Sequence, residues 1–162
     1  MNTNPWDALE RAVALAVNAH RGQRDKAGQP YILHLLQVMQ SVTDPIEKQA
    51  AVLHDYMEDV AGSVEELQRH AISELAIQAI LLLTRPDQMT YCEYVIRLSF
   101  DPIARRVKLA DLEDNYRIGR VVYRSGYQEE DAHRIQKYAL TNQFLSRSID
   151  EREYRLRMVC LE

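Results

Sequence analysis

Apolar positions along the chain recur at helical spacing, and no stretch alternates with period two for long enough to read as a strand. Pro5 followed by Leu9, Val13, Ala16 and Val17 predicts a first helix from about Pro5 to Arg21, with Gly22 as its stop. Two Gly and a Pro among charges make residues 22–30 a loop, and a second helix runs from about Tyr31 to Ser41. Pro45 opens a third through Ala50, Leu53 and Met57, closed by Gly62. Ser63 precedes Glu66, and Thr90 precedes Glu93, by the spacing of a capping box, so each marks a helix start. Between them a stripe of Leu75, Ala79, Leu82 and Leu83 ends at Pro86. Asp101 and Pro102 open a segment reaching about Tyr116, and segments from Glu129 to Leu145 and from Ile149 to Leu161 complete the set. The pattern predicts an all-α fold of about eight or nine helices, with no repeat or linker to divide residues 1–162 into more than one domain.

Composition narrows the partners. Of 162 residues 46% are apolar, enough for one sizeable core, and five Gly and five Pro leave no biased segment. The longest apolar stretch, residues 76–84, is interrupted by Gln78 and falls short of the roughly 20 residues that cross a bilayer. The first ten residues carry Asp7 and Glu10 rather than the basic-then-apolar order of a secretory signal, so the cytoplasm is the expected compartment and a membrane is not an expected partner. Cys92 and Cys160 have no C-x-x-C partner and are expected to be packing residues. A net charge of −4 removes the electrostatic footprint of a nucleic-acid polymer partner. Phosphate binding must then be local. Basic residues cluster at Arg21, Arg24 and Lys26, and again from Arg97 through Arg105, Arg106, Lys108, Arg117, Arg120 and Arg124, most of them expected on solvated helix faces and ends.

The chemistry centres on His54-Asp55, followed one turn later by Glu58-Asp59, an H-D-x-x-E-D pattern placed on one helix. Neighbouring helical residues project about 100° apart, so this pair shares an ion only if it sits between them and other elements complete the shell. His34 on the preceding helix and Asp111 on a later one are the best candidates by type. An isolated His-Asp pair commonly arises by chance on a solvated face. Here Val52 and Leu53 make the helix core-facing, and four ionisable residues at its end would be costly to bury without a metal or partners.

These residues resemble the HD-domain phosphohydrolase superfamily and, within it, the hydrolase domains of RelA/SpoT-type alarmone enzymes, over about residues 12–118. Ala19-His20-Arg21-Gly22-Gln23 with Gly28-Gln29-Pro30-Tyr31-Ile32-Leu33-His34 is similar to the family's A-H-x-G-Q and G-E-P-Y-I-x-H segments. Ala51 to Asp55 with Glu58-Asp59 resembles A-x-L-H-D-x-x-E-D, and Val107 to Asp111 with Asn115 resembles K-L-A-D-x-x-x-N. Asp25-Lys26 stands where the family often has Arg-Lys, and Leu112-Glu113-Asp114 where it commonly has Arg-Leu-His.

The resemblance implies that His34, His54, Asp55 and Asp111 hold a divalent metal ion, most often manganese, while Glu58 and Asp59 act as the acid/base pair. It implies a small-molecule nucleotide substrate, with hydrolysis of the 3′-pyrophosphate of guanosine 3′,5′-bis(diphosphate) (ppGpp) releasing pyrophosphate. Lys26, with Arg24 beside it in place of the family arginine, is the expected nucleotide-holding cation, and Asn115 an expected ribose contact. His20 is expected at a helix end or behind the site, and His70 and His133 at the surface. Tyr94, Arg97, Lys137 and Tyr138 could line a pocket, although at helical spacing such residues are more often packing or solvated surface. Two alternatives keep the same metal site. One is an HD nucleotidase for another phosphorylated nucleoside; the other is a non-catalytic nucleotide-binding module, which would need neither Glu58 nor Asp59.

Overall fold

The computed structural model describes residues 4–117 and 128–162, so Arg120 and Arg124 of the second basic cluster lie outside the described residues. Ten helices are present among them: α1 (Pro5–Ala19), α2 (Ile32–Gln40), α3 (Pro45–Val52), α4 (Tyr56–Asp59), α5 (Val64–Arg69), α6 (Glu74–Leu83), α7 (Tyr91–Ser99), α8 (Pro102–Tyr116), α9 (Gln128–Leu145) and α10 (Glu151–Met158). The described residues contain no strand, and their one isolated β-bridge joins Arg24 to Pro30. None of these helices is long and apolar enough to cross a membrane.

The helix starts follow their caps. Asn4, Asp44 and Asp101 each accept a backbone N–H through the side chain just before a proline at the first helical position. Ser63 and Thr90 accept the amides of Glu66 and Glu93, as the capping-box spacing requires. α3 lies centrally, packed against α1, α2, α6 and α8, and its Ala50, Ala51 and Val52 are fully buried with Leu53 beyond its end. Small alanines let neighbouring helices approach closely here.

Several faces differ from the apolar stripes. On α1 the buried side is Ala8, Ala12, Leu15 and Ala16, with Val17 exposed. On α6 it is Ala76, Ile77, Ala79, Ile80 and Leu83, which leaves Leu75 54% exposed. In both, the buried face mixes alanines with larger residues and is turned from the face the apolar stripe marked. Cys92 is buried as expected of a packing residue, but Cys160 is exposed.

The largest departure is that the third expected helix is two. In an uninterrupted helix the Ala51 carbonyl would accept the amide of Asp55. Instead it accepts Nδ1–H of His54 at 2.8 Å, and Leu53 (φ −114°, ψ 10°) and Asp55 (φ −97°, ψ 2°) leave helical geometry. His54 and Asp55 therefore sit at a break between α3 and α4 rather than on one helix. Gly62 does not supply the left-handed stop after α4 either; Ala61 does, at φ 51°.

Candidate metal centre

Two helices, α2 and α8, and the α3–α4 break converge on one point. His34 from the first turn of α2 places Nε2 at 3.3 Å from Oδ1 of Asp111 on α8 and 3.9 Å from Oδ2 of Asp55. His54 places Nε2 at 3.1 Å from Oδ2 of Asp55 and 3.7 Å from Oδ1 of Asp111. Ligand-capable atoms of His34, His54 and Asp111 all lie within 4.8 Å of one another, and all three residues are buried. Metal–ligand bonds of about 2.0–2.2 Å put neighbouring ligand atoms roughly 3.0–3.5 Å apart, so these spacings fit a shared ion.

The unused nitrogens bear on the fit. Nδ1 of His54 donates to Ala51, and Nδ1 of His34 is paired at 2.7 Å with Oδ2 of Asp114. With the hydrogen on Nδ1, each Nε2 is the ring atom that faces the centre and can offer its lone pair to an ion. Nε2 of His54 is buried and forms no aligned hydrogen bond despite its nearby carboxylates, and a cation is what such an atom accommodates. The field agrees: burial alone would push the His54 pKa down, but the carboxylates of Asp55 and Asp111 outweigh it and hold it well above its ordinary value. For Asp111 burial works in the opposite sense and is overcome by the Lys108 ammonium and both imidazoles, which keep its carboxyl well below the usual range. A region that draws positive charge to buried imidazoles also suits a divalent ion.

Around this centre lies a polar cavity of about 330 Å³ whose lining includes Lys26, Tyr31, Glu58, Asp59, Lys108 and Asn115. Glu58 and Asp59 come from α4, and each is oriented. The Arg85 amide donates to Oε1 of Glu58, while Gln23 donates from Nε2 to Oδ2 of Asp59 at 2.7 Å. Gln23 is held in turn by His20, whose Nδ1 lies 2.6 Å from its Oε1. His20 is thus buried behind the site, whereas His70 and His133 are exposed.

The loop before α2 explains one departure from the family pattern. Asp25 accepts the amides of Ala27 and Gln29 through Oδ1 at 2.9 and 2.8 Å, folding the turn that carries Lys26 to the cavity. Arg24 is not brought there: it lines a separate hollow with His20 and Ile32, and its Nη1 lies 3.4 Å from the Gly28 carbonyl oxygen. Asn115 reaches the cavity with Nδ2 donating to Oδ1 of Asp111 at 2.7 Å.

Lys108 has a role the sequence reading missed. It is largely buried rather than solvated, and donates to Oδ2 of Asp111 at 2.9 Å. Its position three residues before Asp111, on the same helical face, was the available signal. A second cavity of about 640 Å³ adjoins the first, with Glu58, Lys108, Arg134 and Tyr138 common to both. Tyr91, Tyr94, Lys137 and Arg85 also line it, and the Lys137 ammonium stands 4.7 Å from the centroid of the Tyr91 ring. Arg97 is elsewhere, donating to the Leu81 carbonyl.

An all-helical bundle with a His/Asp pair at a helix break, a second His and a distant Asp defines an HD-type phosphohydrolase class. No protein-family model matches the chain. The mouse guanosine-3′,5′-bis(diphosphate) 3′-pyrophosphohydrolase MESH1 is 32% identical over 142 residues, covering 80% of this chain and 78% of that protein. This chain belongs to that family, the HD-domain alarmone hydrolases. A GTP pyrophosphokinase of Streptomyces coelicolor is 29% identical over 152 residues, and the chain spans 18% of its length. A solved structure described as a metazoan orthologue of SpoT that hydrolyses ppGpp superposes with a TM-score of 0.70 at 24% identity, covering 86% of this chain and 85% of that one. It shares the fold.

Proposed function

We propose that the chain is a metal-dependent ppGpp 3′-pyrophosphohydrolase, with a divalent ion held by His34, His54, Asp55 and Asp111 and manganese the first candidate. The convergence of two oriented imidazole nitrogens with two carboxylates, beside Glu58 and Asp59 on the wall of one cavity, carries this reading. The relatives' named activity supports the choice of substrate.

A divalent ion in that place would lower the pKa of a water and offset charge on a phosphoryl oxygen. Glu58 and Asp59 hold the attacking water and take its proton as its oxygen bonds to the phosphorus carried by the ribose 3′ oxygen. The bond from that phosphorus to the 3′ oxygen breaks, and the proton passes to the departing oxygen. Pyrophosphate and GDP result, or GTP from the pentaphosphate. Lys26 and Asn115 contact the nucleotide, while Arg24 has no part. The adjoining cavity, with three tyrosine rings and the cations Arg85, Arg134 and Lys137, takes the remainder of the nucleotide.

The test is metal analysis followed by a hydrolysis panel. About one manganese per chain is expected from four nitrogen and oxygen ligands, with pyrophosphate release from ppGpp that a chelator stops and His54→Ala abolishes. Protein that stays metal-free under manganese supplementation would remove the basis of the assignment. Turnover of nucleoside monophosphates without turnover of ppGpp would move the chain to the broader HD nucleotidases.

A further inference from the structure

Asp114 occupies a place where the similar family commonly has histidine, and its surroundings give the substitution a purpose. α8 presents Asp111 and Asp114 three residues apart on adjoining parts of one face. Asp111 faces the metal centre through Oδ1, while Asp114 meets the opposite edge of the His34 ring, Oδ2 to Nδ1 at 2.7 Å. Asp114 is buried, and its other oxygen lies 3.7 Å from Nε of Arg117 at the end of α8. A buried carboxylate is costly unless paired, so packing alone does not explain it.

The two imidazoles are therefore anchored unequally. His54 has a neutral backbone carbonyl behind it, and His34 has a carboxylate. A carboxylate acceptor fixes the ring angle, places the hydrogen on Nδ1, and makes Nε2 a more basic donor to a metal. We propose that Asp114 is a positioning residue that holds His34 in its Nε2-donating tautomer for the divalent ion, an inference resting on the metal assignment above.

Manganese dissociation constants, read from the electron paramagnetic resonance of the free ion, test it in wild type, Asp114→Ala and Asp114→Asn. The Ala variant should bind roughly 10- to 100-fold more weakly, the usual cost of removing such a partner. The Asn variant, whose carbonyl oxygen can still accept Nδ1–H, should recover most of that loss. The visible bands of cobalt-loaded protein should shift in the Ala variant and stay near wild type in the Asn variant, while circular dichroism of the metal-free proteins reports folding separately. A folded Ala variant with wild-type affinity overturns the role of Asp114 and leaves the metal assignment standing; wild type that binds no ion overturns both. Should the Ala variant fail to fold, ring-nitrogen NMR of zinc-loaded wild type decides. His34 must carry its proton on Nδ1 and bind metal through Nε2, and metal on Nδ1 overturns the proposal.

Discussion

Tyr31 donates its phenolic hydrogen to Oδ2 of Asp55 at 2.6 Å, tying the residue that opens α2 to the break between α3 and α4. Burial, with the charge of Asp55 next, pushes the Tyr31 pKa far above its ordinary value, so the phenol remains a donor. Burial alone would raise Asp55, but His54 and this hydrogen bond hold its carboxyl down to about 2. Hydrogen bonds to charged groups contribute about 1.5–3 kcal/mol. Tyr31→Phe should therefore weaken manganese binding by roughly 10- to 100-fold with helix content unchanged, read by calorimetric titration. An unchanged dissociation constant would mean that Asp55 needs no second anchor.

Glu58→Gln and Asp59→Asn should keep the metal and lose turnover by a factor on the order of 10² or more, the contribution expected of a general base. Gln23→Ala should reproduce part of the Asp59 effect, since Gln23 donates to Oδ2 of Asp59. Metal content and kcat measured on the same preparations separate these roles. Near-normal rates in both carboxylate variants would assign activation of the water to another group.

The helical plan was legible in the chain because prolines at first turns and Ser or Thr three residues before Glu are local signals that act without tertiary context. The break at His54 was not. Nothing between Leu53 and Asp55 disfavours a helix strongly, and the interruption shows only in three dimensions, where the His54 ring takes the Ala51 carbonyl that a continued helix would use. Burial faces on α1 and α6 were misjudged because periodicity marks a stripe, while tertiary packing decides which side of it is covered. Near the site, residue types in ordered motifs pointed to His34, His54, Asp55 and Asp111, whereas Lys108 and Asp114 act through partners on other residues and resemble ordinary surface charge in a linear reading.

Gly62 is needed for space rather than for its backbone angle. A Cβ there would stand 2.1 Å from Cε1 and 2.3 Å from Cδ1 of the Tyr56 ring. Tyr56 is buried at the start of α4, the helix that carries Glu58 and Asp59, so the ring has little room to yield. Gly62→Ala should cost about 1–3 kcal/mol as overpacking, and lower Tm by roughly 2–10 °C for a chain of this size. Activity should fall with it through displacement of α4. A Tm equal to wild type in thermal denaturation would show that Tyr56 can turn aside.

Lys26 reaches the cavity on a turn that Asp25 folds. In the proposed reaction this cation would touch a part of the nucleotide that does not change charge as the 3′ bond breaks. Such a contact is equal in the ground and transition states, and its loss raises KM while leaving kcat nearly unchanged. Lys26→Ala should therefore raise KM for ppGpp by about tenfold, a loss of about 1.4 kcal/mol, with manganese content intact. Arg24→Ala should leave both constants near wild type, because Arg24 lines a different hollow. Asp25→Ala should raise KM as well, since the turn would lose two of its backbone hydrogen bonds. Steady-state kinetics on the three variants distinguish the outcomes: an unchanged KM in Lys26→Ala, or a raised one in Arg24→Ala, would place the nucleotide on the other side of the turn.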